Sequence, residues 1–120
     1  VFNNSTLGMV KLEMLVNGLP DFQTDVPDTN YAEIARAIGF HAERVEDASR
    51  LEGAYREAFA APGPALVEVI TDPNALSLPP AITGGQVVGF ATAMSKIVLN
   101  RGIAEAFSMA TSNMRNIPRL

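Results

Sequence analysis

The sequence contains no cysteine, which excludes disulfide bonds, thiolate catalysis and cysteine-bound metals. This absence is compatible with the cytoplasm. No uninterrupted apolar run approaches the roughly 20 residues that a membrane-spanning helix needs, and the first residues lack the basic-then-apolar pattern of a signal peptide. The formal net charge of -4 argues against a nucleic-acid partner, because phosphate binding requires clustered Lys and Arg.

Enough apolar residues are present to build a core. Hydrophobic residues make up 48% of the 120 residues and charged residues 18%, which is a globular composition of a size for one domain or part of one. The sequence does not begin with methionine, and Val1-Phe2 is typical of the tail of a strand. We therefore expect a fragment of a longer protein, cut inside a domain.

The order of apolar segments predicts an α/β layer. Strands are expected at Val1-Phe2, at 40–45 and at 65–70, with helical segments between them. The run at 65–70 is nearly continuous in apolar residues, which is typical of a strand buried on both faces of a parallel sheet. The predicted fold class is therefore α/β, a partial parallel sheet flanked by helices and followed by C-terminal helices.

Turn and capping residues predict where the helices of this layer begin and end. Asp28 or Thr29 is expected to cap the first, with Gly39 as its stop, and Asp47 is expected to cap the second, which ends at Pro62-Gly63-Pro64. The stripes expected to face inward are Tyr31, Ile34, Ala35 and Ile38 in the first helix, and Leu51, Ala54, Tyr55, Ala58 and Phe59 in the second.

The C-terminal third of the sequence is predicted to be helical. A proline-rich segment at 72–80 leaves the sheet, and helices are predicted at about 85–100 and 103–113, separated by Arg101-Gly102. We expect a first domain over 1–80 and a helical tail over 81–120.

Asn3-Asn4-Ser5-Thr6-Leu7-Gly8 follows the first predicted strand. Ligands bind at the carboxyl ends of strands in open parallel sheets, and amide oxygens suit a hard cation such as Mg²⁺. Taken alone, an Asn-Asn pair in a loop is more often a turn than a metal site.

The wider sequence resembles the thiamine-diphosphate enzymes of the pyruvate oxidase type. The segment from Val1 to Val10 is similar to the closing half of their diphosphate-binding motif, which opens with Gly-Asp-Gly and ends with Asn-Asn. The similarity continues through Asp28-Thr29-Asn30-Tyr31-Ala32, Ile38-Gly39, Arg44-Val45-Glu46, the segment from Gly63 to Val69, and Leu78-Pro79-Pro80. It is clearest over residues 1 to 80, and it implies that these form the C-terminal half of the domain that binds the diphosphate.

The resemblance implies roles for individual residues. Asn4 is expected to bind Mg²⁺ through its side-chain oxygen and Thr6 through its backbone carbonyl, while Asn3 organises the loop. The residues expected near the cofactor are Leu7, Gly8, Met9 and Val10. The Gly-Asp-Gly half, with its metal-binding aspartate, is absent from this sequence, as are the activating glutamate and the flavin domain. We therefore expect the chain alone to be inactive and to bind thiamine diphosphate weakly or not at all.

The activity implied for the parent is oxidative decarboxylation of pyruvate to acetate and CO₂, with electrons passed through FAD to a quinone. The implied assembly is a homotetramer in the cytoplasm, peripheral on the inner face of the cell membrane. An acetolactate synthase or related decarboxylase is an alternative, since Gly8-Met9-Val10 also suits that branch; the stretch Lys11-Leu12-Glu13-Met14 and the long C-terminal helices favour the oxidase. A third possibility is a non-catalytic module for subunit contact or membrane attachment.

Several residues are weaker candidates. His41 is the only histidine, and a structural or surface position suits it better than catalysis. Glu13 either approaches the active site or lies on a solvated helix face. The acidic cluster Glu43, Glu46 and Asp47 is expected to cap a helix and meet solvent, and the five methionines are expected to pack.

The tail over residues 101–120 has two interpretations. Gly102, Ile103, Ala106, Phe107 and Ala110 share a helical face, with Arg101, Arg115 and Arg119 as basic flanks. Such a face can lie on an anionic membrane, and the C-terminal segment of the quinone-linked oxidases docks on the membrane. The alternative is a helix packed on its own domain or on a neighbouring subunit.

Overall fold

The computed structural model describes residues 1–76 and 81–114. Its strands are β1 (Phe2–Asn3), β2 (His41–Val45) and β3 (Ala65–Ile70). Its helices are α1 (Gly8–Val16), α2 (Tyr31–Ala37), α3 (Leu51–Ala60), α4 (Gly84–Arg101) and α5 (Ile103–Asn113), with a 3-10 turn at Ala48–Arg50. The predicted α/β class, a small parallel sheet with flanking helices and C-terminal helices, is confirmed.

The chain forms two compact units that alternate along the sequence. We call Val1–Ser5 with Pro27–Thr71 the sheet unit, and Thr6–Val26 with Asp72–Leu120 the helical unit. The predicted division into 1–80 and 81–120 stays a prediction, and its boundary falls beside residues outside the described part.

The sheet unit has three parallel strands in the order β1-β3-β2. Val69 on the central strand lies opposite Phe2 on one side and Val45 on the other. The apolar pattern of β3 suggested a strand buried on both faces, but its only fully buried residue is the carboxylate of Glu68. The expected burial of this strand on both faces is therefore wrong for its apolar residues, which are exposed or partly buried. The one buried residue is charged, and hydrogen bonds satisfy its carboxylate.

Helix α2 begins one residue later than the predicted caps allow. The cap is Asn30, whose side-chain oxygen accepts a hydrogen bond from the Glu33 amide at 2.9 Å. The Asp28 carboxylate instead accepts two hydrogen bonds from Arg44, both at 3.0 Å. Gly39 ends the helix as predicted, with a φ of 90° that glycine adopts without strain.

The predicted inward stripes of α2 and α3 are wrong in part. Helix α2 packs through its small residues Ala32 and Ala35, while Ile34 and Ile38 are exposed. In α3 only Ala54 is fully buried, and Phe59 is 89% exposed. Periodicity finds the apolar residues of a helix, but the close approach of a helix to a sheet selects small side chains. The buried face is therefore rotated away from the largest residues.

Predicted turn chemistry holds elsewhere in the sheet unit. Asp47 accepts a hydrogen bond from the Ser49 amide at 2.9 Å and so caps the 3-10 turn that leads into α3. Glu43 pairs with Arg50, and Glu46 pairs with Arg44. Asp47 thus caps a helical segment and Glu46 is solvated, as expected, whereas Glu43 is partly buried.

The helical unit packs α1, α4 and α5 around one apolar core. The buried members of this core are Leu12, Leu15, Leu76, Ala93, Ile97 and Met109. Helix α4 begins with a capping box between Thr83 and Gln86, and Gly102 separates it from α5 at the predicted place. At Gly89, α4 approaches α1 so closely that an added Cβ would overlap the carbonyl oxygen of Val16.

Charged residues also hold the helical unit together. Lys11 is 4% exposed, and its ammonium group donates to the Asn74 side chain at 3.0 Å and lies 3.9 Å from the Asp21 carboxylate. Arg101 bonds both the carboxylate and the backbone carbonyl of Asp21, and it also pairs with Glu105. These bonds attach the segment around Asp21 to both α1 and the end of α4.

Candidate functional site

The candidate site begins at the end of β1 with Asn3, whose side chain forms hydrogen bonds through both its amide nitrogen and its amide oxygen. Asn3 is buried, and its amide nitrogen donates to Glu68 at 2.7 Å and to the Thr29 carbonyl at 3.0 Å. Its amide oxygen accepts a hydrogen bond from the Ser5 backbone at 3.1 Å. Ser5 has a φ of 49°, so the chain turns sharply directly after Asn4. The expected role of Asn3 as the organiser of this loop fits these bonds.

Glu68 lies beneath this turn as a fully buried carboxylate. One oxygen accepts from Asn3 and lies 3.5 Å from the Arg44 guanidinium, and the other accepts from the Ala32 amide at 3.0 Å. Burial raises the pKa of Glu68. The hydrogen bonds from the Ala32 and Tyr31 amides and from Asn3, with the charge of Arg44, outweigh burial and lower the pKa below its ordinary value. The group is therefore an anion at neutral pH.

Arg44 links this buried carboxylate to the surface. Its Nη2 donates to both carboxylate oxygens of Asp28 at 3.0 Å, and its Nε donates to Glu46 at 3.1 Å. The side-chain hydrogen bonds with Asp28 contribute most to the raised pKa of Arg44. The guanidinium thus remains charged and balances part of the negative charge around Glu68.

The two predicted metal ligands lie on either side of Ser5. Asn4 is partly buried and belongs to the sheet unit, directly after β1. Thr6 is buried and belongs to the helical unit. Its hydroxyl donates to the Thr24 carbonyl at 3.1 Å, and its backbone forms an isolated antiparallel β-bridge with Asp25. Both offer the hard oxygen atoms that suit Mg²⁺, but neither is a carboxylate.

No cluster in the described part of the chain supplies the missing acids. Residues 1–76 and 81–114 contain no group of three or more His, Cys, Asp or Glu side chains arranged for a metal. His41 is exposed at the start of the edge strand β2, consistent with a surface position. The described residues therefore hold no acidic cluster that would complete a magnesium site at Asn4 and Thr6.

The predicted cofactor-facing residues form the first turn of α1 and its approach. Leu7 precedes Gly8, the first residue of α1, and Met9 is 70% exposed, while Leu7 and Val10 are each about half exposed. Met9 and Glu13 lie on the wall of an open cleft of about 620 Å³ in the helical unit. These exposed apolar side chains can contact a ligand or another part of the enzyme, as a wall for a dry reaction centre would require.

The predicted tail face is split by the structure. Ala106 from that face packs against the core of the helical unit, which contains the fully buried Met109. The Asn113 side chain bonds the backbone of Asn74 and Leu76, so α5 packs on its own unit. Ile103 and Phe107 point away from that packing and are 73% and 67% exposed. Arg115 and Arg119 lie outside the described residues. In the described part no helix combines the length and apolarity needed to cross a membrane.

The sequence reasoning missed Glu68 and Lys11 as buried charges. Each interrupts an apolar stretch with one charged residue, Glu68 within Ala65–Ile70 and Lys11 between Val10 and Leu12. A single charge inside a segment expected to be buried implies a built-in partner, because an unpaired buried charge is costly. That signal was present in both segments.

Comparison with known proteins identifies the family of this chain. Residues 1–69 match the family model "Thiamine pyrophosphate enzyme, C-terminal TPP binding domain". The chain belongs to this family, and the loop that follows β1 lies within the matched segment.

The relatives are much longer proteins. The chain is 35% identical over 96 residues to the putative thiamine pyrophosphate-containing protein YdaP of Bacillus subtilis, covering 80% of this chain and 17% of that protein. It is 46% identical over 48 residues to a probable acetolactate synthase of Mycobacterium bovis and to the acetolactate synthase large subunit IlvG of Mycobacterium tuberculosis, covering 40% of this chain and 9% of each synthase. The chain thus spans less than a fifth of the relatives it matches.

Proposed function

We propose that this chain supplies one side of the magnesium-diphosphate site in an enzyme that oxidatively decarboxylates pyruvate to acetate and CO₂. Asn4 and Thr6 provide oxygen ligands to Mg²⁺, which holds the diphosphate of the cofactor. When bound, thiamine diphosphate supplies the electron sink that decarboxylation of a 2-keto acid requires. FAD, held elsewhere in the enzyme, would supply the acceptor for the electrons of this oxidation, and a quinone would be the final acceptor. The observation that supports the proposal most is the ordered turn at the carboxyl end of β1 in a family member.

The residues around the loop have supporting roles in this proposal. Leu7, Gly8, Met9 and Val10 line the reaction centre and exclude water, which strengthens the interactions between charged groups there. Met9 is well suited to this role because its exposed thioether is apolar and adaptable. We assign no acid or base of the reaction to the residues that the structure describes.

Two features favour an oxidase over the synthase branch. The first is the pair of long C-terminal helices, α4 and α5, which suit the resemblance to the oxidases. The second is the stretch Lys11-Leu12-Glu13-Met14, which resembles the oxidases more than the synthases. An acetolactate synthase remains the second candidate because two named synthases share 46% identity over 48 residues.

The two candidates differ in their products from the same substrate. The complete enzyme should be given pyruvate, thiamine diphosphate, Mg²⁺, FAD and an artificial electron acceptor. Stoichiometric dye reduction with formation of acetate supports the oxidase. Formation of acetolactate without dye reduction would replace it with the synthase.

The isolated chain should bind the cofactor poorly. A dication in a protein site of this type relies on carboxylates, and the described residues contain no group of three or more His, Cys, Asp or Glu side chains placed to hold a metal. Calorimetry of the 120-residue chain with thiamine diphosphate and Mg²⁺ is therefore expected to show no micromolar affinity. A micromolar dissociation constant would mean that the site is complete within this chain.

We further propose that the enzyme is a cytoplasmic homotetramer that docks on the inner face of the membrane through the tail at 101–120. The exposed Ile103 and Phe107 supply the apolar contact. Flotation with anionic liposomes should be lost in the Ile103→Ser/Phe107→Ser variant and retained in the control Val88→Ser on the exposed face of α4. Equal flotation of all three proteins would remove the tail from the proposal.

A further inference from the structure

The hydrogen-bond donors around Glu68 require a carboxylate at this position. Four donors converge on it: the Asn3 side chain, the backbone amides of Ala32 and Tyr31, and the Arg44 guanidinium. A glutamine in its place would turn an NH₂ group toward at least one of these donors, because an amide has a single acceptor oxygen. The negative charge is thus a requirement of the site.

The bond to Asn3 connects this carboxylate to the loop. Because Glu68 accepts from the amide nitrogen of Asn3, the amide oxygen of Asn3 must face the other way, toward the Ser5 backbone. That second bond closes a turn around Asn4, and Ser5 takes up its left-handed conformation there. The orientation of one side chain thereby fixes the backbone on both sides of Asn4.

We infer that Glu68 is a positioning residue for the metal-binding loop: it holds Asn3, and through Asn3 the turn that presents Asn4 to Mg²⁺. The inference rests on the proposed function, because it assigns Glu68 a role in the same magnesium site. Glu68 does not touch the metal in this arrangement. It acts as outer partners of metal ligands do when they restrict a ligand to one orientation.

A purely structural role is the competing explanation, since Glu68 also bonds the first amides of α2. The two roles predict different effects when Glu68 and Asn3 are changed separately and together. A stabilising anchor for α2 would lower the melting temperature and leave Mg²⁺ affinity unchanged in the folded enzyme. A positioning role acts through Asn3, so removing either partner should weaken Mg²⁺ binding, and removing both should add little.

The experiment uses the complete enzyme in four forms: wild type, Glu68→Gln, Asn3→Ala and the double variant. Calorimetry at a fixed concentration of thiamine diphosphate gives the Mg²⁺ concentration for half-saturation, and thermal melting without cofactor gives stability. We expect half-saturation to rise about tenfold in each single variant, with no further tenfold rise in the double variant. Glu46→Gln is the matched control, because Glu46 is an exposed carboxylate that bonds the same Arg44; it should bind Mg²⁺ as wild type does.

Each outcome decides between the roles. Unchanged half-saturation in folded Glu68→Gln, or independent effects that multiply in the double variant, would overturn the inference while the proposed function stands. A wild-type enzyme without Mg²⁺-dependent cofactor binding would overturn the proposed function and this inference with it. If Glu68→Gln does not fold, Asn3→Ala breaks the same bond from the other side; an unchanged half-saturation in that variant would equally overturn the inference.

Discussion

The sheet unit and the helical unit bury different kinds of residue. The helical unit is centred on large apolar side chains, among them Leu15, Ile97 and Met109, each fully buried. The apolar core of the sheet unit consists mainly of alanines, and its largest fully buried side chain is the carboxylate of Glu68. Hydrophobic burial scales with apolar area, so the helical unit gains more from packing alone.

This difference suggests a division of tasks. Packed apolar side chains hold elements together without fixing the direction of any polar group, because the hydrophobic effect is non-directional. The hydrogen bonds around Glu68 are directional, and they lie at the end of β1 where the candidate metal loop begins. The sheet unit thus supplies orientation at the site, whereas the helical unit supplies apolar stability.

The largest expected effect tests the apolar core of the helical unit. Ile97→Ala removes a fully buried side chain from α4 and should lower the free energy of unfolding by about 2–5 kcal/mol. Leu99→Ala on the same helix is the control: that side chain is 84% exposed, and the change should stay within about 0.5 kcal/mol. Urea denaturation measures both, and similar losses would contradict the assigned core.

The next effect tests how closely α1 and α4 approach. Gly89→Ala would force a methyl group against the Val16 carbonyl oxygen and should destabilise the protein by about 1–3 kcal/mol. The same substitution at Gly85, also in α4, meets open space and should be neutral or stabilising by up to about 1 kcal/mol. Thermal melting of the two variants should therefore show shifts of opposite sign or at least a clear difference. Equal shifts would mean that the helices are further apart.

The smallest effect tests the polar core of the sheet unit through pH. The folded protein lowers the pKa of Glu68, so its charge contributes stability above the unfolded pKa of about 4.3. That contribution is lost as the pH falls below this value and through the folded pKa. Wild type should therefore lose stability more steeply on acidification below about pH 4.3 than Glu68→Gln does. Parallel curves for the two proteins, measured by urea denaturation, would show that Glu68 is not stabilised as an anion.

Sequence patterns anticipated the elements better than their buried faces. Gly39 and Asp47 act as a helix stop and a cap, because local backbone chemistry determines both. The exposure of Ile34 and Phe59 could not be anticipated, because periodicity does not show which neighbours cover a helix face. Asn30 replaced Asp28 as the cap since Arg44, 16 residues away in sequence, binds Asp28.

The sequence predicted the loop of the candidate site but not the buried carboxylate of Glu68 that supports it. Asn3, Asn4 and Thr6 were found because the polar residues directly follow a strand and resemble a known motif. Glu68 is 65 residues from Asn3 in sequence, and only the parallel pairing of β1 with β3 brings the two side chains together. Such a contact depends on the register of strands, which local patterns do not determine.

The central claim is that the loop after β1 supplies a magnesium ligand, and Asn4→Ala in the complete enzyme tests it most directly. Calorimetry with thiamine diphosphate should show half-saturation at a Mg²⁺ concentration at least about tenfold higher than in wild type, because a ligand oxygen is lost. Asn100→Ala, which removes an exposed asparagine from α4, should leave that concentration unchanged. Identical Mg²⁺ dependence in Asn4→Ala and wild type would contradict the claim.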